Sequence, residues 1–112
     1  MNIHTRTVGE ARILDINGQI ILGRGTMVVR NTIKDLLHSG VKQIVVNLAE
    51  VNYIDSSGVG ELVSSFTTVA KEGGQLKLLN LTTKVREILA ITRLLTVFQV
   101  FDNEQAAVVS FA

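Results

Sequence analysis

The sequence predicts a single α/β domain over residues 1–112, with a mostly parallel sheet, an antiparallel N-terminal edge strand and about four covering helices. Three observations predict it. From about residue 11 onward, short apolar runs of strand length alternate with stretches whose apolar residues recur every three or four positions. Nine glycines, with no proline in the chain, stand between these segments or at their ends. The first run meets its neighbour through Gly9-Glu10, a tight turn that suits an antiparallel pair, whereas the later alternation implies right-handed β-α-β crossovers.

The elements follow in order. Ile3 to Val8 is a short edge strand. Leu14, Ile16, Gly18 and Ile20 alternate with Asp15, Asn17 and Gln19, the period of two of a second strand. Thr26 to His38 is a helix: Val29, Ile33, Leu36 and Leu37 share a face, Thr26 is the expected cap and Gly40 closes the end. Ile44-Val45-Val46 is a buried strand extended by Leu48. Val59, Leu62, Val63, Phe66, Val69 and Ala70 repeat at three and four, giving a second helix that stops at Gly73-Gly74. Leu76 to Leu79 is the next strand. Val85, Ile88, Leu89 and Thr92 give a third helix, capped by Thr82 or Thr83. Val97 to Phe101 is the expected last strand, and Asp102-Asn103-Glu104-Gln105 resembles a capping box opening a short final helix.

Composition narrows the function classes. Hydrophobic residues make up 46% and charged residues 19%, the balance of a chain that buries a core. Net charge is +1 with no basic block, and aromatics are 4%, so neither a nucleic-acid footprint nor a base-stacking platform is expected. The absence of cysteine removes disulfides and thiolate chemistry. The N-terminus has no apolar signal core, and no apolar run has the length of a membrane span. The expectation is a soluble, cytoplasmic protein without a cofactor or metal, monomeric or weakly dimeric.

The most informative segment is Val51-Asn52-Tyr53-Ile54-Asp55-Ser56-Ser57-Gly58-Val59-Gly60. An apolar strand end runs into an acid, two hydroxyls and two glycines, and a helix follows. In open α/β sheets, functional groups collect beyond the carboxyl ends of strands, which is where this segment falls. Asp55 or Ser56 can accept from the unpaired first amides of the helix. Gly58 and Gly60 are expected to let the backbone turn tightly and leave the hydroxyls uncovered. Ser57 is then in the first turn with its oxygen reachable.

Three readings of these residues compete. Plain helix capping is one. A phosphate cradle is a second, but P-loop spacing and its lysine are missing. A nucleophilic serine is the third, but Asp55 stands where a nucleophile elbow needs glycine, and only His4 and His38 are available as bases. His4 is near the terminus, and His38 falls at a helix C-terminus, where its charge suits the dipole.

The order of elements and the segment Tyr53-Ile54-Asp55-Ser56-Ser57-Gly58-Val59-Gly60 resemble the anti-sigma factor antagonist branch of the STAS domain family. Gly18-Gln19-Ile20 is similar to that family's glycine-led second strand, and Gly73-Gly74-Gln75-Leu76-Lys77-Leu78 to its glycine-to-strand step. Lys84 to Leu89 and Glu104 to Ala107 are similar to its last helices. The resemblance implies a non-enzymatic phosphorylation switch. Ser57, the second serine of the pair, is the implied phosphoacceptor, and Asp55, Ser56, Gly58 and Gly60 form its loop. The implied partners are an anti-sigma factor serine kinase, bound by the unmodified form so that the sigma factor is freed, and a serine phosphatase that resets the switch. An alternative within the family is a scaffold or regulatory module of a larger stress-signalling assembly. The acid that often follows the second strand in this family is replaced here by Ile21, read as buried against the sheet. Arg24, Thr26 and Glu61 are candidate exposed residues of the partner surface.

Overall fold

The computed structural model describes every residue from Met1 to Ala112. In chain order it contains β1 (Asn2–Val8), β2 (Ala11–Ile20), α1 (Arg24–His38), β3 (Gln43–Ile54), α2 (Ser56–Lys71), β4 (Gln75–Leu79), α3 (Thr83–Ile91), β5 (Val100–Phe101) and α4 (Glu104–Val109). The five strands lie in the sheet in sequence order. β1 pairs antiparallel with β2, and every later pairing is parallel.

The two sheet faces carry unequal cores. A cluster of 20 buried residues joins one face to α1, α2 and α3, with Val29, Ile33, Leu62, Val69, Val85 and Leu89 packed on Leu14, Val46, Leu48 and Leu78. The other face carries a small cluster of Ile13, Val45, Leu79 and Ala107 under the short helix α4. Polar groups fix that second face. Arg6 on β1 donates to Asp15 on β2 at 2.6 and 3.0 Å and to Glu104 on α4 at 2.7 Å, and Asn47 donates to Asp15 at 2.8 Å. The Arg6 guanidinium and the Asn47 amide hold the Asp15 carboxyl below the usual carboxylate range. Lys77, only 2% exposed, donates to Ser110 Oγ at 2.7 Å and lies 4.3 Å from the Phe111 ring centroid. Burial lowers its pKa.

Three expectations change. Helix α1 begins at Arg24, not Thr26. Gly23, at φ +101°, is the cap residue, and the Thr26 hydroxyl donates to the Gly23 carbonyl at 3.1 Å instead of capping. The strand after Val46 runs on to Ile54, so β3 has 12 residues and delivers the chain directly to the Asp55 loop. The last strand shrinks to Val100–Phe101; Phe98 turns inward to 5% exposure and stacks edge-on against Phe66 at 5.3 Å. The chain before it is a turn, closed by the Val97 amide donating to the Leu94 carbonyl at 3.0 Å, and residues in that turn are not available to the ladder. Thr82, of the two candidates, caps α3, accepting from the Val85 amide at 3.3 Å. Asn103 caps α4 by accepting from Ala106 at 2.9 Å.

Candidate functional site

Strands β2 and β3 are parallel neighbours, so the helices that follow them start at the same end of the sheet. Asp55 ties these two starts together. One carboxylate oxygen accepts from the Gly58 amide at 2.8 Å, which caps α2, and the other accepts from the Leu22 amide at 3.1 Å, in the loop leading to α1. The Leu22 and Gly58 amides, in that order, favour the ionised form and lower the Asp55 pKa. The capping role falls on Asp55 and not on Ser56.

That choice leaves both hydroxyls free. Neither serine oxygen takes part in any of the side-chain hydrogen bonds of the fold, whereas Asp55 makes two. Ser56 is exposed and Ser57 is half-buried. No buried side-chain oxygen or nitrogen in the molecule lacks a partner, so the unbonded Ser57 Oγ keeps contact with solvent. Ser57 occupies the second position of α2, within the turn whose amides point outward.

The glycines work differently from expectation. Neither Gly58 nor Gly60 has a positive φ, so neither supplies an unusual backbone turn. Gly58 is needed for close approach: a Cβ there would overlap the Ile20 carbonyl oxygen and stand 2.6 Å from Ile54 Cγ1. The first turn of α2 is thereby pressed against the end of β2. Gly60 is exposed, and a Cβ there would meet nothing within 4 Å.

The candidate partner-surface residues separate. Arg24 is exposed at the first position of α1. Thr26 and Glu61 are each 5% exposed, which removes both from the surface. Thr26 is turned in by its bond to Gly23. Glu61 is turned in by an ion pair to Arg30 of α1, 2.8 Å between Nη2 and Oε1. Their polarity suggested solvent, but the complementary Arg30 and the four-residue spacing of Ser57, Glu61 and Ser65 were the signal of a polar seam between the helices. Ile21 is half-buried. Leu22, Met27, Tyr53 and Ile91 are large apolar side chains left exposed at 74, 55, 47 and 81%. Leu22 and Tyr53 flank the Asp55–Gly58 segment directly. No helix of the molecule is long and apolar enough to cross a membrane.

The "Anti-sigma-B factor antagonist" of Bacillus subtilis (strain 168) is 32% identical over 81 residues, 72% of this chain and 73% of that protein. Two solved structures share the fold. A candidate anti-sigma factor antagonist from Thermotoga maritima superposes with a TM-score of 0.88 at 22% identity, covering 96% of this chain and 92% of that one. The Bacillus cell fate determinant SpoIIAA in its phosphorylated form superposes with a TM-score of 0.76 at 19% identity, covering 99% of this chain and 100% of that one. The STAS domain family profile matches residues 2–107, and the chain belongs to that family.

Proposed function

We propose that this protein is an anti-sigma factor antagonist switched by phosphorylation of Ser57. In its unmodified form it docks on an anti-sigma factor that is also a serine kinase, and the sigma factor is set free. The kinase then modifies Ser57. Its Oγ attacks the γ-phosphorus of ATP, the bond from that phosphorus to the β-bridging oxygen breaks, ADP leaves, and the hydroxyl proton passes to a base of the kinase. A serine phosphatase restores the hydroxyl by hydrolysis. The protein itself is non-enzymatic and acts in the cytoplasm.

One observation carries the reading: Asp55 does the capping, so the Ser57 hydroxyl stands unbonded and in contact with solvent at the start of α2. The B. subtilis relative named an anti-sigma-B factor antagonist supports the class of partner. The exposed Leu22, Met27 and Tyr53, with Arg24, supply apolar area and a cation around the loop for docking. A phosphate adds roughly −1.5 to −2 charges at neutral pH. On free protein the helix dipole favours it. In a complex, partner surface excludes water, and a dianion that the partner itself cannot pair opposes docking.

Incubation with candidate anti-sigma kinases and ATP, followed by mass spectrometric mapping, tests the assignment. Phosphate on Ser57 is the expected result. Modification confined to Ser56, or none with any candidate kinase, counts against it.

A further inference from the structure

Ser57 lies at one end of a polar seam in the α1–α2 interface. Ser57, Glu61 and Ser65 follow at a spacing of four along α2, which sets them on one face. Glu61 and Ser65 are buried at 5% and 3% exposure. Arg30 of α1 reaches across: Nε and Nη2 both donate to Glu61 Oε1, at 3.0 and 2.8 Å. Ser65 Oγ donates to Oε2 at 3.3 Å. Both oxygens of the buried carboxylate are therefore engaged.

Arg30 is not used up by this contact. A guanidinium carries five N–H donors in a planar fork that fits phosphate as well as carboxylate. Only two of them bind Glu61, and the Arg30 side chain is 54% exposed. Side chains four apart on a helix stand about 5–6 Å apart at Cβ, so Ser57 is one turn from the carboxylate that anchors Arg30. Helices α1 and α2 start at the same end of the sheet, tied by the Leu22–Asp55 bond, and Ser57 stands one turn toward that end from Glu61.

We propose that Arg30, positioned by Glu61, is the internal counter-charge for a phosphate on Ser57. The inference rests on the phosphorylation switch for its biological use and deepens it. The guanidinium keeps two donors on Glu61, because leaving a buried carboxylate unpaired is costly, and turns its remaining donors to the phosphate oxygens. Phosphorylation then does two things to the docking face. It adds an anion at the start of α2, and it withdraws an exposed cation from α1. Arg30 is a positioning residue for the modified state, not a group in the phosphoryl transfer.

The test uses the full chain with phosphoserine incorporated at position 57 during synthesis, so no kinase is required. The readout is the second pKa of that phosphate by phosphorus NMR titration. The charged groups around it are Asp55 at the cap, Arg24 at the start of α1, and Arg30 and Glu61 in the seam; Lys34 is one turn farther along α1. Glu61→Gln lowers the phosphate pKa, since Arg30 is then free to serve the phosphate alone. In that background, where no unpaired carboxylate is left behind, Arg30→Gln raises it by about half a unit or more, a threefold change in proton affinity. Arg30→Lys, which keeps the charge without the fork, falls between, and Lys34→Gln in the same background leaves it unchanged. Equal values with and without Arg30, in proteins whose amide spectra show the native fold, overturn the proposal. A failure of kinases to modify Ser57 sinks the switch but leaves this result standing.

Discussion

A carboxylate that caps a helix frees the hydroxyls beside it, and the loop from Asp55 to Gly58 depends on that division of labour. Asp55 binds two amides, that of Gly58 in the first turn of α2 and that of Leu22 in the β2–α1 loop, so it both starts α2 and locks that loop against it. Asp55→Ala removes both bonds. The expected result is large amide shift changes at Leu22 and Gly58 with the sheet unaffected; unchanged Leu22 would show that the bridge does not hold the loops in solution. Ser57→Ala should fold with an unaltered melting temperature, since its oxygen makes no hydrogen bond, and should bind the anti-sigma kinase without being switched off. Ser57→Asp should bind poorly, one carboxylate imitating a phosphate in part. The pattern Asp-Ser-Ser-Gly made the loop legible in the sequence, but not which residue caps. Asp and Ser are near-equal caps, and the choice was set by the Leu22 amide, 33 residues away in the chain and invisible to local pattern.

At the scale of elements, α2 is pressed against the end of β2, and Gly58 is the contact that permits it. Gly58→Ala forces a methyl into the Ile20 carbonyl and should destabilise the domain by about 2–4 kcal/mol. Gly60→Ala, two residues on, meets open space in a helical conformation and should stabilise by about 0.5–1 kcal/mol. Thermal or denaturant melts of the pair check both signs; equal effects would mean that the close approach is not what glycine serves. The helices were legible because their apolar residues repeat at three and four. Glu61 was not, because its burial depends on Arg30 of a different helix, and a charged residue buried by its partner carries no periodicity of its own. The shortening of β5 was not legible either, since the turn closed between Leu94 and Val97 carries neither glycine nor proline to mark it.

For the whole molecule, Asp15, Asp55 and Lys77 shape how stability depends on pH. Asp15 and Asp55 have folded pKa values below the ordinary 3.8, so the unfolded chain binds more protons in that range. Their contribution is present above about pH 4 and is lost as pH falls through the lower folded values. Lys77 is lowered below 10.5, so stability should rise as pH climbs from its folded value to that of the free side chain. Denaturation at stepped pH checks the acid limb, and Asp15→Asn should flatten it; an unchanged slope would contradict the assigned role of the Arg6–Asp15 pair. The sheet order, one antiparallel edge followed by parallel strands, was legible from the tight turn at Gly9 and the strand–helix alternation. Because the Ser57 oxygen is unbonded and at the surface, modification should leave this architecture intact and act at the docking face. The most direct measurement is calorimetric binding of the anti-sigma kinase to unmodified protein and to protein carrying phosphate on Ser57, with amide spectra recorded for both. The predicted result is a loss of affinity of at least about tenfold, equivalent to ~1.4 kcal/mol, with shifts confined to the Asp55 loop and the adjoining ends of α1 and α2. Equal affinity of the two forms, or shifts spread across the whole sheet, would contradict a switch that works by charge at an interface.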